Sequence, residues 1–228
     1  MATGIIYALV GGILPALIWL TFWLHEDRKA PEPKRLIAKT FLFGMLAVIL
    51  VIPLQKGLGM WLPDHSFLLI FLWAALEEGF KLLAGYFGGL HSRDDNEPLD
   101  ALVYMITAAL GFVALENTLF ILSPILGGDM VETVLTGNLR FIGASLLHTV
   151  SSGLVGACLA FRFYASQARQ VAAALIGLLL ALGFHTLFNM LIISYDTTGL
   201  FGALALVWSG TITLLWVFER AKSIAPLS

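Results

Sequence analysis

The chain is organised as long apolar stretches separated by short polar ones. About 20 apolar residues in a helix cross the ~30 Å hydrocarbon core of a bilayer. Only a helix satisfies its own backbone polar groups over such a length. The pattern therefore predicts an all-α polytopic bundle of about seven transmembrane helices. The predicted spans are residues 5–24, 36–54, 67–90, 99–122, 141–163, 171–193 and 200–218.

Composition strengthens this prediction. Hydrophobic residues make up 59% of the chain and charged residues 12%, whereas charged residues are about 25% of a soluble domain. The connections between the spans are short, so we expect residues 1–228 to form a single integral membrane domain. A net charge of -2 without a basic cluster excludes nucleic acid as a partner and leaves the lipid bilayer as the expected surroundings.

Lysine and arginine lie mainly on one side of the predicted spans. The positive-inside rule assigns the side with more basic residues to the cytoplasm. It predicts an outside N-terminus, a cytoplasmic C-terminus and a multi-pass protein of the cell membrane. The ten basic residues on that side are Arg28, Lys29, Lys34, Arg35, Lys39, Arg93, Arg162, Arg169, Arg220 and Lys222.

Four of the spans contain ionisable or strongly polar residues. Each charge costs about 2.5–3.5 kcal/mol at the centre of a membrane helix, so these positions need a reason. At 1.5 Å per residue, Glu77, Glu116, His148 and His185 share a depth of roughly 9 to 15 Å below the predicted outer face. The shared depth predicts that they converge on one site. The ionisable and strongly polar residues of the four spans are Glu77, Glu78, Lys81, Glu116, Asn117, His148, His185 and Asn189.

The residue types at this site favour hydrolysis by an activated water. A carboxylate can accept a proton from water, and one Glu with two His is a common zinc-ligand set. Ser145, Ser151 and Ser152 are interpreted as helix-packing residues. No aspartate is expected to be buried, so a covalent serine mechanism is disfavoured. A proton relay in a transporter uses the same side chains and stays an alternative.

Glu77 and Lys81 are four residues apart, so they share a helix face, which allows them to pair. Glu78 points about 100° away from Glu77 and is expected to face another neighbour.

Four motifs in order resemble the PrsW family of polytopic intramembrane proteases. They are "EEGFK" from Glu77, "FVALEN" ending at Glu116 and Asn117, His148 followed by glycines, and "HTLFN" from His185 to Asn189. The resemblance covers about residues 67–193. The chain is more distantly similar to the CAAX prenyl endopeptidases. It departs from them because Lys81 is one position closer than their arginine and Glu116 replaces their histidine, which disfavours a prenylated substrate.

The resemblance implies cleavage of membrane-anchored proteins, such as anti-sigma factors, near the outer face of the cytoplasmic membrane. Our hypothesis is that Glu77, together with Glu78, activates the water. Glu116, His148 and His185 would hold a zinc ion, or position the water in a glutamic-type enzyme without metal. Lys81, Asn117 and Asn189 would support them.

The segment 123–140 is expected to lie outside, directly above this polar layer. Its glycines and moderate hydropathy leave two interpretations open. It is either a lid over the site or a short helix lying on the membrane surface.

Overall fold

The computed structural model describes residues 2–28, 30–194 and 197–224, and within them the secondary structure is entirely helical. Two short π-helical segments, Tyr86–Leu90 and Arg140–Ala144, interrupt the α-helical pattern. The α-helices are α1 (Ala2–Glu26), α2 (Lys34–Gly59), α3 (Phe67–Gly85), α4 (Pro98–Gly127), α5 (Met130–Leu139), α6 (Ser145–Ala160), α7 (Gln167–Ser194) and α8 (Thr197–Ala221).

The lengths and hydropathy of these helices confirm the polytopic membrane bundle. Six helical stretches are long and apolar enough to cross a membrane: α1, α2, α4, the continuous helix Met130–Ala160, α7 and α8. The remaining long helix, α3, holds Glu77, Glu78 and Lys81 within its 19 residues. Helix α3 is long enough to cross a membrane, and it differs from the six apolar stretches because it contains these three charged residues. The orientation of the termini stays a prediction.

The segment 123–140 is helical and not a loop. Helix α4 continues to Gly127, and the chain reverses at Gly128, whose φ of 78° suits glycine because it has no Cβ. Helix α5 then begins, with Asp129 accepting a cap hydrogen bond from the Glu132 backbone N–H. None of the α5 residues is buried, and α5 runs through the second π segment into α6. Whether this exposed helix covers the site stays a prediction.

Helix α4 is the centre of the bundle. Every residue from Pro98 to Ala114 is buried, and α1, α2 and α6 pack around it. Helix α2 approaches it closely through two glycines. A Cβ on Gly44 would lie 2.1 Å from the Ala108 carbonyl oxygen, and one on Gly111 would lie 2.0 Å from that of Phe41. Small residues at such crossings let helix backbones approach within van der Waals contact, which brings side chains of several helices within reach of each other.

Carboxylates are buried where α1 ends and α4 begins, which corrects the expectation that no aspartate is buried. Asp27 and Asp100 are 2% and 0% exposed. One Asp100 oxygen accepts the backbone N–H groups of Asn96 and Glu97, at 2.7 and 2.9 Å, and so caps α4. The Tyr104 hydroxyl donates to Glu32. These aspartates lie in or beside polar segments, where the sequence gives no sign of burial.

Burial raises the pKa of Asp27 to about 7, and the neighbouring charges of Glu97 and Asp100 add to this rise. Burial likewise raises the pKa of Glu32 to about 8. Between the ordinary pKa of a carboxyl and these values, the folded protein binds protons that the unfolded chain has released. Stability therefore falls as pH rises through this interval.

We predict that the unfolding temperature in detergent decreases as pH rises from about 4.5 to about 8. Asp27→Asn should flatten this decrease, because the amide carries no charge at any pH in the range. Asp64→Asn, which changes an exposed aspartate, is the control and should keep the wild-type profile. Thermal unfolding at a series of pH values measures this. A stability that is constant or rises with pH would contradict the prediction.

Candidate active site

Polar side chains from five helices meet inside the bundle. Three of them come from α3, and the others come from α2, α4, α6 and α7. Among the ionisable members, all but Glu116 are less than 9% exposed. The converging residues are Gln55, Glu77, Glu78, Lys81, Glu116, His148, Ser151, Ser152 and His185. The structure thus brings together the carboxylates and histidines that the sequence placed at one depth.

Glu78 is the most completely hydrogen-bonded carboxylate of the group. Its Oε1 accepts from Lys81 Nζ at 2.5 Å, from His185 Nδ1 at 2.6 Å and from the Ser151 hydroxyl at 2.8 Å. The Ser152 hydroxyl donates to Oε2 at 3.4 Å. The two serines are therefore ligands of a buried charge and not only packing residues. With only 1% of its surface exposed, Glu78 joins α3, α6 and α7.

Lys81 pairs with Glu78 and not with Glu77, although the spacing in the sequence allowed a pair with Glu77. The Lys81–Glu78 pair is three residues apart on α3. The Lys81 ammonium also donates to His148 Nδ1 at 2.8 Å. Lys81 is fully buried, so this cation is held by protein groups alone. Spacings of three and four residues both bring side chains together on a helix, and the neighbouring helices decide between them.

Glu77 is held on one side only. Gln55 Nε2 donates to its Oε1 at 2.8 Å, whereas its buried Oε2 has no hydrogen-bond partner among the described residues. His185 Nε2 lies 3.7 Å from Oε2, beyond hydrogen-bond distance. A buried carboxylate oxygen without a partner is costly.

Contacts to His185 fix its tautomer. The Glu78 carboxylate is an acceptor, so His185 Nδ1 must carry the proton that joins them. In the neutral ring, Nε2 then has a free lone pair, and it faces Glu77 Oε2. Two acceptors on either side of a short gap suit a cation or a water molecule between them. A carboxylate that holds one histidine nitrogen while the other faces a ligand is typical of metal centres.

His148 has both ring nitrogens engaged. Lys81 can only donate, so Nδ1 accepts from it. Nε2 then carries the proton and donates to Glu116 Oε2 at 3.2 Å. The His148 ring also lies at 89° to that of His185, with centroids 5.2 Å apart. The two histidines are therefore neighbours, held by carboxylates on different helices.

Glu116 forms an ion pair with Arg140, the last residue of the segment 123–140 that was expected to lie outside. Arg140 opens the second π segment and donates to Glu116 through one terminal nitrogen. Its Nε donates to Asn117 Oδ1 at 2.7 Å, and its guanidinium lies 3.8 Å from the centre of the Phe120 ring. Arg140 thus connects the helix Met130–Ala160 to α4 and compensates the Glu116 charge.

The donor atoms that fit a metal ion differ in one member from the predicted set. Glu77, His148 and His185 each offer a ligand atom, and these atoms lie within 4.8 Å of one another. The sequence placed Glu116 with the two histidines. One carboxylate and two histidines with an open position is a catalytic zinc arrangement, and the unpartnered Glu77 oxygen suits a ligand. Ligation by His148 would require it to release Lys81 or Glu116.

Sequence reasoning gave no site role to four residues that hydrogen-bond within this site or to its edge: Gln55, Arg140, Ser151 and Ser152. Gln55 lies just beyond the predicted end of its span, and Arg140 just before the beginning of another. The serines follow His148 by three and four residues, which is the spacing of one helix face and was the available signal. Asn189 lies one helical turn after His185 and is half-buried.

The fold and this centre define a class, a polytopic membrane protein with a buried carboxylate–histidine site assembled from several helices. Comparison with known proteins identifies the family. The sequence profile of the family described as "PrsW family intramembrane metalloprotease" matches residues 32–217. The chain therefore belongs to the PrsW family of intramembrane metalloproteases. This membership decides between the protease and the transporter interpretations.

Individual relatives agree with the family match. The chain is 24% identical to Protease PrsW of Halalkalibacterium halodurans over 225 residues, which is 95% of this chain and 96% of the relative. It is 29% identical to Protease PrsW of Geobacillus kaustophilus over 147 residues, 62% of each chain. The match thus spans about three fifths of the latter protein. No solved structure gave a significant match to the chain.

We predict that Lys81→Met lowers the free energy of unfolding by about 3–5 kcal/mol, because removing one member of a buried ion pair leaves the other charge uncompensated. The double variant Glu78→Gln, Lys81→Met should lose less than the sum of the single changes. Lys39→Met, at an exposed lysine, is the control and should be near wild type. Unfolding in lipid bicelles measures these differences, and additive effects would contradict the pairing.

Proposed function

We propose that this chain hydrolyses peptide bonds of membrane-anchored proteins, in the manner of the site-1 cleavage of an anti-sigma factor. One observation carries the proposal. Glu77 is a buried carboxylate with one oxygen held by Gln55 and the other without a partner, beside the His185 Nε2 lone pair. A water between these two acceptors would lie where a general base can take its proton.

In the proposed reaction, Glu77 Oε2 accepts a proton from the water as the water oxygen attacks the substrate carbonyl carbon. The same oxygen then gives the proton to the amide nitrogen. The C–N bond breaks, and the products are a carboxylate and a free amine. Glu78 keeps the His185 lone pair directed at Glu77 through its hydrogen bond to Nδ1. The Lys81 ammonium compensates the Glu78 charge.

Glu77, His148 and His185 are the residues that would hold a zinc ion. In that case Glu77 Oε2 would be a ligand and not the free base described above. Such an ion lowers the pKa of a bound water to near 7 and polarises the carbonyl. The donor set and the family description support a metal centre. We expect the purified protein to contain about one zinc per chain and to lose cleavage with a chelator. Full activity in metal-free protein would favour the glutamic-type alternative.

Replacing the base tests the proposal. Glu77→Gln keeps the size of the side chain and should lower the cleavage rate by about 10²–10⁴-fold, the range of general-base catalysis. A single-pass anti-sigma-factor-type substrate in liposomes, with fragments identified by mass spectrometry, measures the rate and the scissile bond. Glu132→Gln, at an exposed position on α5, is the matched control. Wild-type cleavage by the Glu77 variant would refute the assignment.

We further propose that cleavage takes place in the outer half of the membrane. The distribution of basic residues supports an outside N-terminus. In a Cys158→Ala background, Thr3→Cys should react with a membrane-impermeant maleimide on intact cells. Ser223→Cys should react only after the membrane is opened. The reverse pattern of labelling would invert the topology and move the proposed site to the cytoplasmic half.

A further inference from the structure

Gln55 joins the end of α2 to the segment of α3 that carries Glu77. Its side-chain Nε2 donates to Glu77 Oε1 at 2.8 Å. Its backbone carbonyl oxygen accepts from Trp73 Nε1 at 3.1 Å. Trp73 precedes Glu77 by four residues and lies one turn away on α3. The two hydrogen bonds therefore fix the end of α2 against the same face of α3.

We propose that Gln55 is a positioning residue that orients the Glu77 carboxylate for catalysis. This inference rests on the proposed function, in which Glu77 Oε2 takes the proton from water. By holding Oε1, the Gln55 amide leaves only Oε2 directed toward His185. Trp73 acts indirectly, because its hydrogen bond fixes the backbone from which the Gln55 side chain extends.

The kind of donor matters as much as its position. Glu78 and Glu116 each accept from a cation, Lys81 and Arg140 respectively. Glu77 accepts instead from a neutral amide. A neutral donor orients a carboxylate without placing an opposite charge beside it. The arrangement suits a group that must accept a proton or bind a cation.

The amide orientation follows from the same chemistry. A carboxylate cannot donate, so the Gln55 NH₂ group, and not its oxygen, must face Glu77. Without this donor, the Glu77 side chain could rotate about its terminal torsion, which is broad and weakly restricted. A displacement of about 1 Å in a reacting group can reduce the rate about 10²-fold. Loss of the Gln55 donor should therefore act on the chemical step.

The test replaces Gln55 by methionine, which has nearly the same length and shape but no N–H donor. We expect kcat of Gln55→Met to fall about 10- to 100-fold, the usual effect of removing a residue that orients a ligand. KM and the unfolding temperature should stay near wild type. Trp73→Phe should lower kcat in the same direction but less, because the ring remains and only the indole N–H is lost.

A matched control is available on α7. Gln170 Nε2 donates to the Phe163 carbonyl oxygen at 2.5 Å, so Gln170→Met removes a comparable hydrogen bond away from the site. It should leave kcat unchanged. The zinc dissociation constant of the purified protein is a second readout. It should weaken about 10- to 100-fold in Gln55→Met if Glu77 is a ligand. If the wild-type protein binds no zinc, kcat alone decides.

Running Glu77→Gln in the same assay separates the possible failures. If Glu77→Gln is inactive and Gln55→Met cleaves as wild type does, the positioning role is wrong and the proposed function stands. If Gln55→Met loses activity only in proportion to a lowered unfolding temperature, its role is structural and the inference is overturned. If the wild type fails to cleave, or Glu77→Gln cleaves like the wild type, the proposed function fails and the inference fails with it.

Discussion

The buried ion pair between Lys81 and Glu78 is the interaction on which the rest of the site depends. A charge in the middle of a membrane is costly, and a buried pair is tolerated only when its remaining donors and acceptors are satisfied. Here Glu78 accepts from Lys81, His185 and two serines. These contacts hold α3, α6 and α7 in one arrangement, and they assign the proton of His185 to one nitrogen. Stability and chemistry therefore depend on the same atoms.

Close packing around α4 makes this network possible. Glycines at the α2–α4 crossing let the two backbones approach each other closely. The second ion pair, Arg140 with Glu116, connects α4 to the segment that precedes α6. Because Glu116 also accepts from His148, the two ion pairs are linked through one imidazole. Removing either ion pair would therefore alter the hydrogen bonds of His148 and so affect the other pair.

Apolar run lengths were enough to predict the bundle, because a membrane permits few alternatives to a helix. Equal depth also predicted that Glu77, Glu116, His148 and His185 lie close together, since alternating helices place residues of equal depth in one layer. What the sequence could not predict was rotation about each helix axis. Spacing alone allowed Glu77 to pair with Lys81, yet the helices around α3 turn Lys81 toward Glu78.

The same limit explains the residues that sequence reasoning missed. Gln55 and Arg140 lie at the edges of spans, where a polar residue needs no explanation. Their importance arises only because another helix brings Glu77 or Glu116 to them. Glu116 fitted a zinc set by residue type, but the position of Arg140 gives it another partner. For the segment 123–140, moderate hydropathy did not decide between a lid and a surface helix, because both are exposed.

Adjacent glutamates on a helix face different surroundings, because successive residues are about 100° apart. In this chain, Glu77 and Glu78 therefore have different hydrogen-bond partners although they are adjacent. Glu78 is turned into the bundle, where a cation, a histidine and two hydroxyls occupy its oxygens. Glu77 is turned toward α2, where a single neutral amide leaves one oxygen without a partner. A carboxylate whose oxygens are all hydrogen-bonded holds its neighbours in place but has no free lone pair directed at a water molecule. A carboxylate with one unpartnered oxygen has such a lone pair. In the proposed mechanism, the doublet thus supplies a structural carboxylate and a base from neighbouring positions, and Glu78 orients His185 toward the Glu77 oxygen beside it.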